Sequence, residues 1–104
     1  MSDRELLELA AKAAGYGEIW TLDNYPNTFY IGPRYTGGAP KYRAWNPLTD
    51  DGDALRLAVK LFDGDDMEVI WHNARRLRAE RPELDEVAAI RHAIVRDAAE
   101  IGRT

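Results

Sequence analysis

Pro47 places the strongest constraint on how this chain folds. Its ring disfavours the helical region for Asn46, so no helix can run through this point from upstream. Thr49, Asp50 and Asp51 then supply N-cap and first-turn chemistry, because acids there meet unpaired amides and the positive end of a helix dipole. Ala54, Leu55, Leu57, Ala58, Val59, Leu61 and Phe62 follow, with only Arg56 and Lys60 polar between them. So wide an apolar arc predicts the most buried helix of the protein. Asp63-Gly64-Asp65-Asp66 is expected to end it.

Two further helices are predicted. Ser2-Asp3-Arg4-Glu5 fits a capping box, in which the Ser2 hydroxyl accepts from the Glu5 amide and the Glu5 carboxylate reaches back. Leu6, Leu9, Ala10 and Ala13 recur at helical spacing and Gly15 and Gly17 terminate, giving a helix over residues 3–14. After Pro82, the stripe Val87, Ile90, Ile94, Ala98 and Ile101 predicts the last helix, closed by Gly102. Between the first two helices, Glu18 to Asp23 carries strand formers, Asp23 to Asn27 is turn chemistry, and Thr28 to Ile31 returns as a second strand. Tyr42 to Trp45 is a short third strand. Met67, Val69 and Trp71 alternate with Glu68, Ile70 and His72, and Arg75 to Glu80 alternates in the same way, so a hairpin is expected here. A helix over 73–81 competes with it, because Ala, Arg, Leu and Glu favour helix. The class is α+β: three helices and a small, mostly antiparallel sheet, in the order helix, two or three strands, helix, two strands, helix.

A chain of 104 residues, 45% apolar and 31% charged, makes one globular domain over 1–104. It contains no cysteine, which excludes disulfides and thiolate metal sites and fits a cytoplasmic setting. No signal peptide is expected, and no apolar stretch nears the roughly 20 residues that span a bilayer. The net charge of −4 argues against nucleic-acid and anionic-membrane affinity. The charge is uneven. Asp50, Asp51, Asp53, Asp63, Asp65 and Asp66 crowd both ends of the middle helix, and Arg75, Arg76, Arg78 and Arg81 follow.

Catalytic chemistry is poorly supplied. The one serine is Ser2, in a helix cap, and no Ser/His/acid constellation is apparent, so the chain reads as non-enzymatic. Neither Asp cluster has the alternating acids and closing Glu of an EF-hand loop, and His72 and His92 lie outside any HxxxH pattern, so no metal or other cofactor is expected. The Tyr-rich stretch is more suggestive. Tyr25, Tyr30, Tyr35 and Tyr42 share a short, turn-rich stretch with Arg34, Lys41 and Arg43, and Tyr and Arg are enriched at interface hot spots. The same aromatics also fit a sheet core, or a pocket near Trp20, Tyr30 and Trp45 in which these and Tyr42 stack a nucleotide base.

Three segments also carry a resemblance: "DRELLELAAKAAG" at Asp3–Gly15, "WNPLTDDGDALRLAVKL" at Trp45–Leu61 and "AAIRHAIVRDAAEIG" at Ala88–Gly102. Together they resemble small phage and prophage proteins of Pseudomonas-like bacteria, the phage ABA-sandwich domain group. The resemblance covers about half the chain and implies an α/β/α sandwich-like layering. It brings no catalytic motif. Tyr25–Trp45 and Asn73–Pro82 depart from the group, and function particular to this chain is expected there. The combined expectation is a phage-encoded protein-binding module in the cytoplasm of a bacterial host. Its sharpest form is an inhibitor of a defence complex, as anti-CRISPR proteins are. The six aspartates would occlude a basic groove, and Tyr25, Tyr30, Tyr35 and Arg34 would anchor the contact. The alternative is a small protein that sequesters a nucleotide signal.

Overall fold

In a computed structural model that describes residues 1–34 and 37–103, the chain is α+β, with four helices and one three-stranded sheet. The elements are α1 (Asp3–Ala14), β1 (Trp20–Leu22), β2 (Tyr25–Ile31), β3 (Arg43–Ala44), α2 (Asp51–Leu61), α3 (Gly64–Glu80) and α4 (Glu86–Gly102). Both strand pairs are antiparallel, with β2 in the middle. Tyr35 lies outside the described residues.

α1 begins as its sequence dictates. The Ser2 hydroxyl accepts from the Glu5 amide at 3.2 Å. The return arm differs from a capping box, since the Glu5 carboxylate accepts from the Ser2 hydroxyl at 3.1 Å rather than from the Ser2 amide. Gly15, at φ +78°, closes the helix in the left-handed region that a side chain would disfavour, and the Tyr16 amide returns to the Ala11 carbonyl at 2.9 Å.

The predicted hairpin over 67–81 is instead α3. Asp63 is its N-cap, accepting from the Asp66 amide at 3.0 Å while the Asp66 carboxylate accepts from the Asp63 amide at 3.2 Å. The acids expected to end the middle helix therefore start the next one. With Met67, Val69, Ile70 and Trp71 all apolar, the stretch can be read at either period. Ile70, Ala74 and Leu77 decide the matter, because helical spacing buries all three, whereas alternation would have buried Val69 and Trp71, which are exposed.

α4 is the hub: α1, α2 and α3 all pack on it. Its buried face is Ala89, Ala93, Ile94, Val95, Ala98, Ala99 and Gly102, while Val87 and Ile101 of the expected stripe are exposed. α1 meets it with Leu7, Ala10, Ala11 and Ala14. Small residues on both sides allow close approach. At Gly102 the approach is closest, since an added Cβ would collide with the Leu9 carbonyl. The expectation that α2 is the most buried helix is overturned: Leu55 and Val59 are 64% and 74% exposed.

One face of the sheet joins this core. Ile31, Phe29 and Trp45 pack with Ile19, Leu48 and Tyr16, and Trp45 is only 1% exposed, edge-on to Tyr16 at 5.7 Å. Among the described residues, the other face supplies no member of that core. A sandwich of the expected kind needs buried residues on both faces; here helices back only the inner one.

Candidate partner-binding surface

Strand register builds the outer face of the sheet. Trp20 pairs with Tyr30, and Tyr30 with Ala44, which brings Trp20, Tyr30 and Tyr42 together. Trp20 stacks on Tyr30 at 5.0 Å and 24°, and Tyr42 meets both edge-on, at 5.0 Å from Trp20 and 5.6 Å from Tyr30. These are the offset and T-shaped arrangements that ring quadrupoles favour. The Trp20 indole donates to the Gly32 carbonyl at 3.0 Å, so its polar edge is satisfied. The Arg34 guanidinium sits 5.3 Å over the Trp20 ring, within cation–π range. All three rings are half-buried. Tyr25, at the hairpin turn, is 58% exposed.

The inner face ends in a charged corner. Arg43 lies opposite Ile31, on the core side, and reaches Asp53 at the start of α2. The Asp53 side chain is only 8% exposed. It accepts from Arg43 at 3.0 Å, Arg56 at 2.7 Å and the Asn46 amide at 3.0 Å. Burial pushes this carboxyl upward, but the Asn46 amide and the Arg56 and Arg43 guanidiniums outweigh it and hold Asp53 below the usual carboxylate range. Asp50 is the N-cap, accepting from the Asp53 amide at 2.8 Å. Asp51 pairs with Arg91 at 2.6 Å, and Arg91 also donates to the Leu48 carbonyl at 2.8 Å, which ties the turn before α2 to α4.

The six expected aspartates thus separate into roles. Asp53 is a buried structural node and is corrected as a contact residue. Asp50, Asp63 and Asp66 cap helices while remaining exposed. Asp51 and Asp65 are exposed first-turn acids. The two acidic groups stand at opposite ends of α2, about 15 Å apart at 1.5 Å per residue. Trp20, Tyr30 and Trp45 do not line one pocket, because Trp45 is in the core behind the sheet. That overturns the specific nucleotide pocket.

Sequence reasoning missed a second polar recess, between α3 and α4. Asp97 is half-buried there and accepts from the Asn73 amide group at 3.3 and 3.5 Å. Burial pushes its carboxyl above the usual range, against the smaller pull of Asn73 and Arg96. A lone acid on a helix gives no sign of this in sequence. Among the described residues, no group of three or more His, Cys, Asp or Glu is placed to hold a metal ion, and no helix is long and apolar enough to cross a membrane.

No family model, no curated protein and no solved structure matches this chain.

Proposed function

We propose that this protein is a non-enzymatic binding module whose target is another protein, engaged through the outer face of the sheet. One observation carries the reading: Trp20, Tyr30 and Tyr42, with Arg34 over Trp20, form an organised aromatic–arginine cluster that stands outside the hydrophobic core, half-buried on the outer face of the sheet. Rings of this kind contribute contact area at low cost in side-chain entropy, and their polar tips add direction. Tyr25 extends the same region toward the hairpin turn.

The phage resemblance makes the target a host bacterial protein, and the sharpest form is a defence complex with a basic groove. Asp50, Asp51, Asp63, Asp65 and Asp66 supply the charge for that form, without Asp53. Their separation along α2 favours a partner that meets two acidic points rather than one patch.

Affinity capture from bacterial lysate, with mass spectrometry, tests both parts. Tyr42→Ala should lose the captured protein while the helical circular dichroism is unchanged. Asp51→Lys with Asp65→Lys, and Asp50→Asn with Asp63→Asn and Asp66→Asn, remove charge while asparagine keeps the caps. Loss of capture in the charge variants supports occlusion of a basic site. Full capture by those variants would sink the electrostatic part, and full capture by Tyr42→Ala would sink the sheet face. A released nucleotide with no captured protein would favour the sequestering alternative.

A further inference from the structure

α3 turns Ile70, Ala74 and Leu77 onto α4 and presents a flanking stripe, Glu68, Trp71, Arg75 and Arg78, to solvent. Trp71 is 47% exposed, a large apolar area for a surface position with no role in the sheet cluster. Charge changes sign around it. Asp65 and Glu68 precede Trp71, and Arg75 and Arg78 follow it. Among the described residues, neither Glu68 nor Arg75 has an ion-pair partner within its own chain. The Arg78 guanidinium is held at the helix end by the Leu84 carbonyl at 3.4 Å.

We propose that this stripe is a self-association surface and that its occupant is the same stripe of a second copy, laid antiparallel. A two-fold axis between positions 71 and 72 sets Glu68 of each copy against Arg75 of the other. The two Trp71 rings meet beside the axis. A two-fold interface must be self-complementary in this way, with residue i meeting j and j meeting i. A parallel arrangement would set acid on acid and arginine on arginine, so the charge order selects the antiparallel one. Two helices of 17 residues make a small contact, which fits a weak, reversible dimer.

Light scattering or sedimentation of the full chain, from about 1 µM to about 1 mM, covers the range in which such a contact dissociates. The mass should rise with concentration from 11.8 kDa toward twice that value and fall back as salt screens the charge pairs. Glu68→Arg and Arg75→Glu should each weaken association at least about tenfold, because each sets like charges opposite twice. An equimolar mixture of the two variants should associate again, since each introduced charge then faces its complement. Trp71→Ala should weaken association with circular dichroism unchanged. A monomer mass throughout would overturn the proposal. So would a mixture that stays monomeric, or a dimer indifferent to all three substitutions, which would place association elsewhere.

Discussion

Asp53, at the sheet–α2 corner, and Asp97, in the α3–α4 recess, are both carboxylates drawn out of water near a helix junction. Their ionisation is pushed in opposite directions. Burial raises both. At Asp53 it is overcome by two guanidiniums and a backbone amide; at Asp97 one side-chain amide, with long contacts, does not overcome it. The donor set, not the degree of burial, decides whether a charge holds the fold together or strains it. The corner is thus a structural node, and the recess is a place where the fold tolerates an unfavourable charge.

The largest effect should come from breaking the node. Asp53→Ala leaves the Asn46 amide, Arg43 and Arg56 without their acceptor and should cost about 2 kcal/mol, read as a lowered midpoint in urea unfolding. Arg43 and Arg56 are about half-exposed and recover water, which keeps the cost below that of a fully buried pair. An Asp53→Ala variant as stable as the wild type would show that the corner is not a node.

The pH dependence sharpens the contrast. For Asp53 the folded pKa is depressed, so its contribution is fully present above the unfolded value, about 3.9, and is lost as pH falls through the folded value. Wild type should therefore lose its advantage over Asp53→Ala as unfolding is measured from pH 5 down to pH 2. For Asp97 the sign reverses. A raised folded pKa means that its contribution favours the native state at low pH and is lost as pH rises through the folded value. Asp97→Asn keeps an acceptor for Asn73 and removes the charge, so at pH 7 it should match or exceed wild type by up to about 0.5 kcal/mol. That gap should narrow below the ordinary carboxylate range. A variant clearly less stable than wild type at pH 7 would mean that Asp97 is paired after all.

Sequence reading could not have separated these two acids, and the reason is physical. Asp53 stands among Asp50 and Asp51 with the same local chemistry, and its difference is made by the Asn46 amide, by Arg56 and by Arg43, which lies ten residues upstream and turns inward because it lies opposite Ile31. Register of that kind is absent from local pattern. What local pattern does carry came through: the Ser2 and Asp50 caps, the Gly15 stop, and α1, α2 and α4 close to their expected ranges. α3 is hidden because Met67, Val69 and Trp71 alternate, although Met67, Ile70, Ala74 and Leu77 carry helical spacing through the same stretch, and because the cap box there is Asp63 with Asp66 rather than Ser or Thr with Glu. The aromatic residues of the outer sheet face were visible, and Trp20, Tyr30 and Tyr42 do come together, but the place of Trp45 was not visible. Trp45 and Trp20 look alike in sequence, yet they fall on opposite sides of the sheet.

The smallest effect tests whether the node extends to α4. Asp51 meets Arg91 at 2.6 Å, but the Asp51 side chain is 74% exposed, so solvent screens the pair. Arg91 is mostly covered and its second bond, to the Leu48 carbonyl, survives the loss of Asp51. Asp51→Ala should therefore cost no more than about 0.5 kcal/mol, and 0.5 M salt should abolish the difference. Arg91→Ala removes both bonds and should cost more than Asp51→Ala at any salt concentration. If the two variants were equally stable, the Leu48 carbonyl bond would carry nothing, and the turn at Pro47 would be held by its own Asn46 bonds and by Asp53, without α4.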